Sequence, residues 1–112
     1  MARTGQFRIV LVTCGSMAEA RKIAKSVVEE RLAACVNIVS TPVESVYQWN
    51  GRVEKASERL LIIKTGGKRL KKLEQEVLRL HSYETPEFLV IQIAGGSKEY
   101  LRWLATSLSK RA

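Results

Sequence analysis

The chain is poor in the residues that usually carry visible chemistry: one histidine, two cysteines, two prolines and 6% aromatics among 112 residues. Two cysteines do not make a disulfide framework. With no apolar leader in Met1-Ala2-Arg3-Thr4-Gly5-Gln6, Cys14 and Cys35 read as reduced thiols in the cytosol. No apolar run approaches the ~20 residues a membrane helix needs, so no membrane is expected as a partner. The patterns G-x-x-x-x-G-K-[ST], H-E-x-x-H and C-x-x-C are missing, as is the dinucleotide fingerprint. So are repeats, linkers and low-complexity stretches. Scarce aromatics leave aliphatic side chains to fill the core.

What is present is ordinary globular material, 46% hydrophobic and 27% charged. The length suits a single domain over 1–112, with an ordered core from about 7 to 109. A net charge of +8 permits anionic partners without proving one. The densest cluster, Lys64, Lys68, Arg69, Lys71 and Lys72, contains no acid and reads most simply as a solvated helix start. Nucleic acid is not expected. An RNA-recognition domain needs an aromatic third strand, and Glu58-Arg59-Leu60-Leu61-Ile62-Ile63-Lys64-Thr65 has no ring to stack a base.

The hydrophobic pattern predicts a strand over Phe7 to Thr13 and an amphipathic helix from Met17 to about Leu32. Ser16-Met17-Ala18-Glu19 opens that helix with capping-box spacing. Strand character resumes from Cys35 to Trp49, with a bulge or edge expected at Thr41-Pro42. Asn50-Gly51 predicts a two-residue type I′ turn, which sets Trp49 opposite Arg52 and Tyr47 opposite Glu54. The return arm runs to Thr65. A second helix spans about Lys68 to His81, a last strand Glu87 to Ala94, and Ser97 caps a third helix. The fold class is α+β: a ferredoxin-like βαββαβ sandwich with a C-terminal helix and a long hairpin of its second and third strands.

Ile9-Val10-Leu11-Val12, Leu60-Leu61-Ile62-Ile63 and Phe88-Leu89-Val90-Ile91 do not alternate, so each offers apolar side chains to both faces of the sheet. Both main helices pack on one face. An open second face would be a large apolar patch for a monomer, and another copy of the chain is the simplest cover. The rival is that the third helix covers it, although one short helix hardly spans four strands. The aromatic hairpin reads as an arm reaching a neighbour, or else as an exposed hairpin with surface aromatics.

His81 lies near a helix C-terminus, where a partly positive imidazole is favoured. Alternatively it is a metal ligand with Glu84 or Cys14, and histidine with cysteine suits copper or zinc better than magnesium. Cys14 precedes a helix N-terminus, a position that can lower a thiol pKa. Cys35 reads as a small core residue. Glu84 and Glu87 flank Pro86 and suit structural hydrogen bonds better than acid–base work.

Several ordered segments resemble one family. They are Glu30-Arg31-Leu32-Ala33-Ala34-Cys35-Val36-Asn37, Ser45-Val46-Tyr47-Gln48-Trp49-Asn50-Gly51, Glu58 through Thr65, His81-Ser82-Tyr83-Glu84-Thr85-Pro86-Glu87 and Tyr100-Leu101-Arg102-Trp103-Leu104. Over about Ile9 to Leu108 the chain resembles CutA, the divalent-cation tolerance proteins. It departs from them at Ser82, where the family usually has proline, and near Asn50, where it usually has glutamate. The resemblance implies a homotrimer, similar to PII signalling proteins in assembly, with a cytoplasmic role in tolerance of copper and other divalent metals. Some members hold copper through the histidine matching His81. One lineage adds a cysteine whose position matches Val12 here rather than Cys14.

The leading expectation is therefore a non-enzymatic homotrimer that needs no cofactor, with Cu(II) or another divalent cation at His81, Glu84 and Cys14. Inter-subunit clefts would be lined by Trp49, Lys64, Tyr83 and Glu87. The alternative is a PII-like scaffold binding a small anion or a protein partner, with Lys64, Lys68 and Arg69 supplying charge. An enzyme built on Cys14 or on Glu84 and Glu87 ranks last, because no nucleophile–base pair is visible.

Overall fold

Strand side chains point alternately to the two faces of a sheet. In β1 (Phe7–Cys14) this buries Val10, Val12 and Cys14 completely on one face. α1 (Met17–Glu29) and α2 (Leu70–Leu80) cover that face with Ala20, Ile23, Val27, Leu73 and Val77. β2 (Cys35–Trp49) and β3 (Arg52–Gly66) form the long hairpin, and β4 (Leu89–Gln92) closes the opposite edge. The sheet order is β2-β3-β1-β4, antiparallel throughout, and α3 (Lys98–Leu108) follows. This is the ferredoxin-like arrangement the sequence predicts. It comes from a computed structural model, which describes residues 1–3 and 5–109. A separate pairing joins Ala2–Arg3 to Gly95–Gly96.

The hairpin has the predicted register, with Trp49 opposite Arg52 and Tyr47 opposite Glu54. Asn50 and Gly51 take φ of 51° and 76°, the left-handed values that both central residues of a type I′ turn require. The register slips between Val39 and Val43, around Thr41-Pro42, where proline removes a ladder donor.

Three boundaries differ from the sequence reading. α1 stops at Glu29 rather than Leu32, because Arg31 turns left-handed (φ 57°) and the Leu32 and Ala33 amides return to the Val27 carbonyl at 2.9 and 3.0 Å. That conformation costs an L-residue ~1–2 kcal/mol. It lets Arg31 Nη1 donate to the Ser107 carbonyl at 2.9 Å, while Arg69 donates to that of Leu108. Both guanidinium groups thus meet the negative end of the α3 dipole. The second helix opens as a 3₁₀ turn, Gly67–Arg69, before α2 proper. β4 covers Leu89–Gln92 rather than Glu87 to Ala94, since it pairs only along Arg8 to Leu11 before Ile93 packs under α3.

The second sheet face is as apolar as expected. Ile9, Leu11, Leu60 and Ile62 are only half-buried there, and Leu89 and Ile91 are 56% and 46% exposed. α3 covers one end of it, packing Leu101, Leu104 and Leu108 on Phe7 and Ala34. No helix among the described residues is long and apolar enough to cross a membrane.

Candidate functional site

The end of β1 and the start of α1 place two side chains beside a third from the end of α2. Cys14, the last residue of β1, is fully buried. Ser16 caps α1 by accepting the Glu19 amide at 3.2 Å. The Glu19 carboxylate serves a different purpose from the capping box its spacing predicts. Its Oε1 accepts the Ser82 amide at 3.2 Å, and its Oε2 lies 3.4 Å from His81 Nδ1. A proline at position 82 would have no such amide to donate.

His81 caps the C-terminus of α2 and is buried. Its Nε2 lies 2.7 Å from the Thr13 carbonyl oxygen, which can only accept, so Nε2 carries the proton. Nδ1 accepts the Tyr83 amide at 3.0 Å. These two bonds select the neutral imidazole, in place of the partly positive one that a helix C-terminus suggests. The Tyr83 ring lies against His81 with centroids 4.7 Å apart, and its hydroxyl donates to Glu58 Oε2 at 2.9 Å. A Cβ at Gly15 would meet that hydroxyl at 3.2 Å, so the tyrosine needs bare backbone there.

Cys14, Glu19 and His81 each offer a donor atom, and these atoms lie within 4.8 Å of one another. Glu19 Oε2 is buried with no hydrogen-bond partner, a group that a cation would satisfy. Sulfur, oxygen and imidazole nitrogen together suit copper or zinc, so the residues fit a divalent cation of that class. Glu84 is exposed and outside this trio. Glu19 belongs to it instead, and its only signal in the sequence was the helix-capping spacing.

Burial pushes the Cys14 thiol up to about 11, helped by the negative charges of Glu19 and Glu58. The helix N-terminus that suggested a lowered thiol is outweighed. Because the folded value exceeds the ordinary 9.0, the thiol's contribution to stability is complete below pH 9 and is lost as pH rises toward about 11. A thiol-alkylation time course at about pH 8 is expected to label Cys35 and spare Cys14 in the folded protein. Equal rates at the two positions would contradict this.

Other sequence-predicted residues are spread out. Glu58 is buried on the open sheet face, and burial, followed by the charge of Glu58, raises the Glu87 carboxyl. Tyr83 is pushed up to about 12 by burial, then by its bond to Glu58. Trp49 stands 55% exposed at the hairpin tip. Lys64 lies on the open face between Ile9 and Cys35, donating to Asn37 Oδ1, with Cys35 Sγ at 4.0 Å. Cys35 is therefore a half-buried residue of that face rather than a core residue. Lys64 and Arg69, two of the three cations suggested for an anion, already hold partners within the chain.

Residues 8–107 match the family described as CutA1 divalent ion tolerance protein. The chain belongs to that family. It is 49% identical over 96 residues to the divalent-cation tolerance protein CutA of Thermus thermophilus, covering 86% of this chain and 92% of that one. It is 48% identical over 99 residues to the chloroplastic CutA of Arabidopsis thaliana, with 88% of this chain covered but only 54% of the plant protein. The chain thus spans about half the length of its plant relative. Among solved CutA structures, that of Oryza sativa CutA1 superposes with TM-score 0.90 at 40% identity, covering 98% of this chain and all of the other. A protein called the periplasmic divalent cation tolerance protein CutA of Archaeoglobus fulgidus gives 0.88 at 38% identity, covering 92% and 99%. These CutA names are those of tolerance proteins rather than of enzymes.

Proposed function

We propose that the chain is a non-enzymatic CutA homotrimer that responds to divalent metal, copper first, by holding it weakly at His81 with Cys14 and Glu19. One observation carries the reading: the sulfur, oxygen and nitrogen donors within 4.8 Å of one another, with Glu19 Oε2 buried and unpartnered. Weak binding follows from the same geometry. A cation must displace the Tyr83 amide from His81 Nδ1 and drive the proton of a thiol raised to about 11 out to solvent. The buried neutral thiol also argues against nucleophilic catalysis by Cys14, although His81 lies nearby. Two unpaired cysteines support a reducing compartment and hence a cytoplasmic location.

Calorimetric titration with Cu(II) tests this. Wild type is expected to bind, His81→Ala to lose binding, and Glu19→Gln to weaken it by about tenfold. Identical curves for the three proteins would remove the trio from the proposal.

A PII-like scaffold binding a small anion is the second reading. It is favoured by an open groove of about 960 Å³ between α1 and α2, where the exposed Lys72 stands with Arg31, Arg69 and Arg79, three cations that already hold partners within the chain. A thermal shift with small carboxylates or nucleotides, and none with metals, would favour it over the first.

A further inference from the structure

Among the described residues of the open sheet face, the charge of Lys64 and that of the buried Glu58 carboxylate are matched by no ion pair. Lys64 Nζ has three protons to donate. Its partners among the described residues are the neutral Asn37 Oδ1 and Cys35 Sγ. On the same face of the same strand, Glu58 is buried with the Tyr83 hydroxyl as its donor, and Glu87 lies close enough for its charge to be felt. Among the described residues, the ion pair between charged side chains is Arg79 with Glu76, since the His81 beside Glu19 is neutral.

The two unmatched sites cannot meet within one chain. They lie six residues apart along extended β3, which is about 20 Å at the strand rise. A second copy laid on this face would bring an ammonium to the carboxylates. Between Lys64 and Glu58 the face is lined by Leu60 and Ile62, so the contact is an apolar surface with opposite charges at its two ends. Arg52 and Lys55, the rival cations on the hairpin, are exposed and already in water.

We propose that Lys64 of one copy reaches Glu58 and Glu87 of a second copy, forming an inter-subunit site that neither copy completes alone. This rests on the assembled reading above and deepens it. The aliphatic face supplies the area. The lysine and the carboxylate pair select which end of one subunit meets which end of the next, since a wrong pairing leaves both charges buried without partners.

Subunit exchange between isotope-labelled and unlabelled protein, followed by native mass measurement, tests it. Lys64→Met is expected to speed exchange about 10–100-fold, and Glu58→Gln, which keeps an acceptor for Tyr83, by a similar factor. The double variant should be no faster than the faster single one to within about twofold, because each change breaks the same contact. Lys64→Arg should exchange nearly as slowly as wild type, and unchanged circular dichroism verifies the fold of each variant. Multiplying effects, unchanged exchange in Lys64→Met, or coupling of Glu58 to Arg52→Met instead would overturn the pairing while leaving the assembly intact. A wild-type chain that runs as a single subunit would remove the assembly itself, and the pairing with it.

Discussion

Ile91→Arg should leave a folded single subunit of 12.6 kDa, in place of the trimer of three times that mass proposed for the wild-type chain. Ile91 stands 46% exposed on edge strand β4, beside the half-buried Ile9. In an isolated chain an arginine there should change stability by no more than about 0.5 kcal/mol. Its aliphatic stem lies along the sheet and its head reaches water. Beneath a covering copy the same head would be a buried charge with no designed partner, costing several kcal/mol at each interface. The substitution therefore separates folding from association. Native mass measurement with a urea melt of the same sample reads both. A variant that still assembles would show that the open face is not what joins the copies.

Removal of His81 should be the most damaging single change to the candidate site. His81→Ala is expected to lower the unfolding free energy by about 2–4 kcal/mol. The imidazole is buried and bonded at both nitrogens, to the Thr13 carbonyl and the Tyr83 amide. Alanine leaves both of those groups unsatisfied and opens a void beneath the Tyr83 ring. Glu84→Ala, three residues on and exposed, should fall within about 0.5 kcal/mol of wild type. Urea denaturation of the two variants side by side gives the comparison. Equal losses would mean that the histidine's bonds do not hold the end of α2 to β1.

This contrast shows where the sequence was an adequate guide to the site. His81 and Cys14 stood out because histidine is unique in the chain and the thiol follows the first strand. Glu19 did not. Its spacing from Ser16 is that of a helix cap, and one half of that cap does form. The carboxylate joins the site because α2 ends against β1 and sets His81 and Ser82 over it. Glu84 drew notice by lying close to His81 along the chain. In space, the turn after α2 leaves it in solvent.

The order of elements, the type I′ turn at Asn50-Gly51, the Ser16 and Ser97 caps and the two-sided apolar strands were determined by the sequence alone. Each depends on residues within a few positions of one another, through φ preference, capping or side-chain alternation. Tertiary structure decided where α1 ends, the neutral tautomer of His81, the raised thiol of Cys14, the isolation of Lys64 from Glu58 and the membership of Glu19 in the donor trio. Those properties depend on burial and on charges from segments far apart in the chain, and such distances exist only once the helices have packed on the sheet.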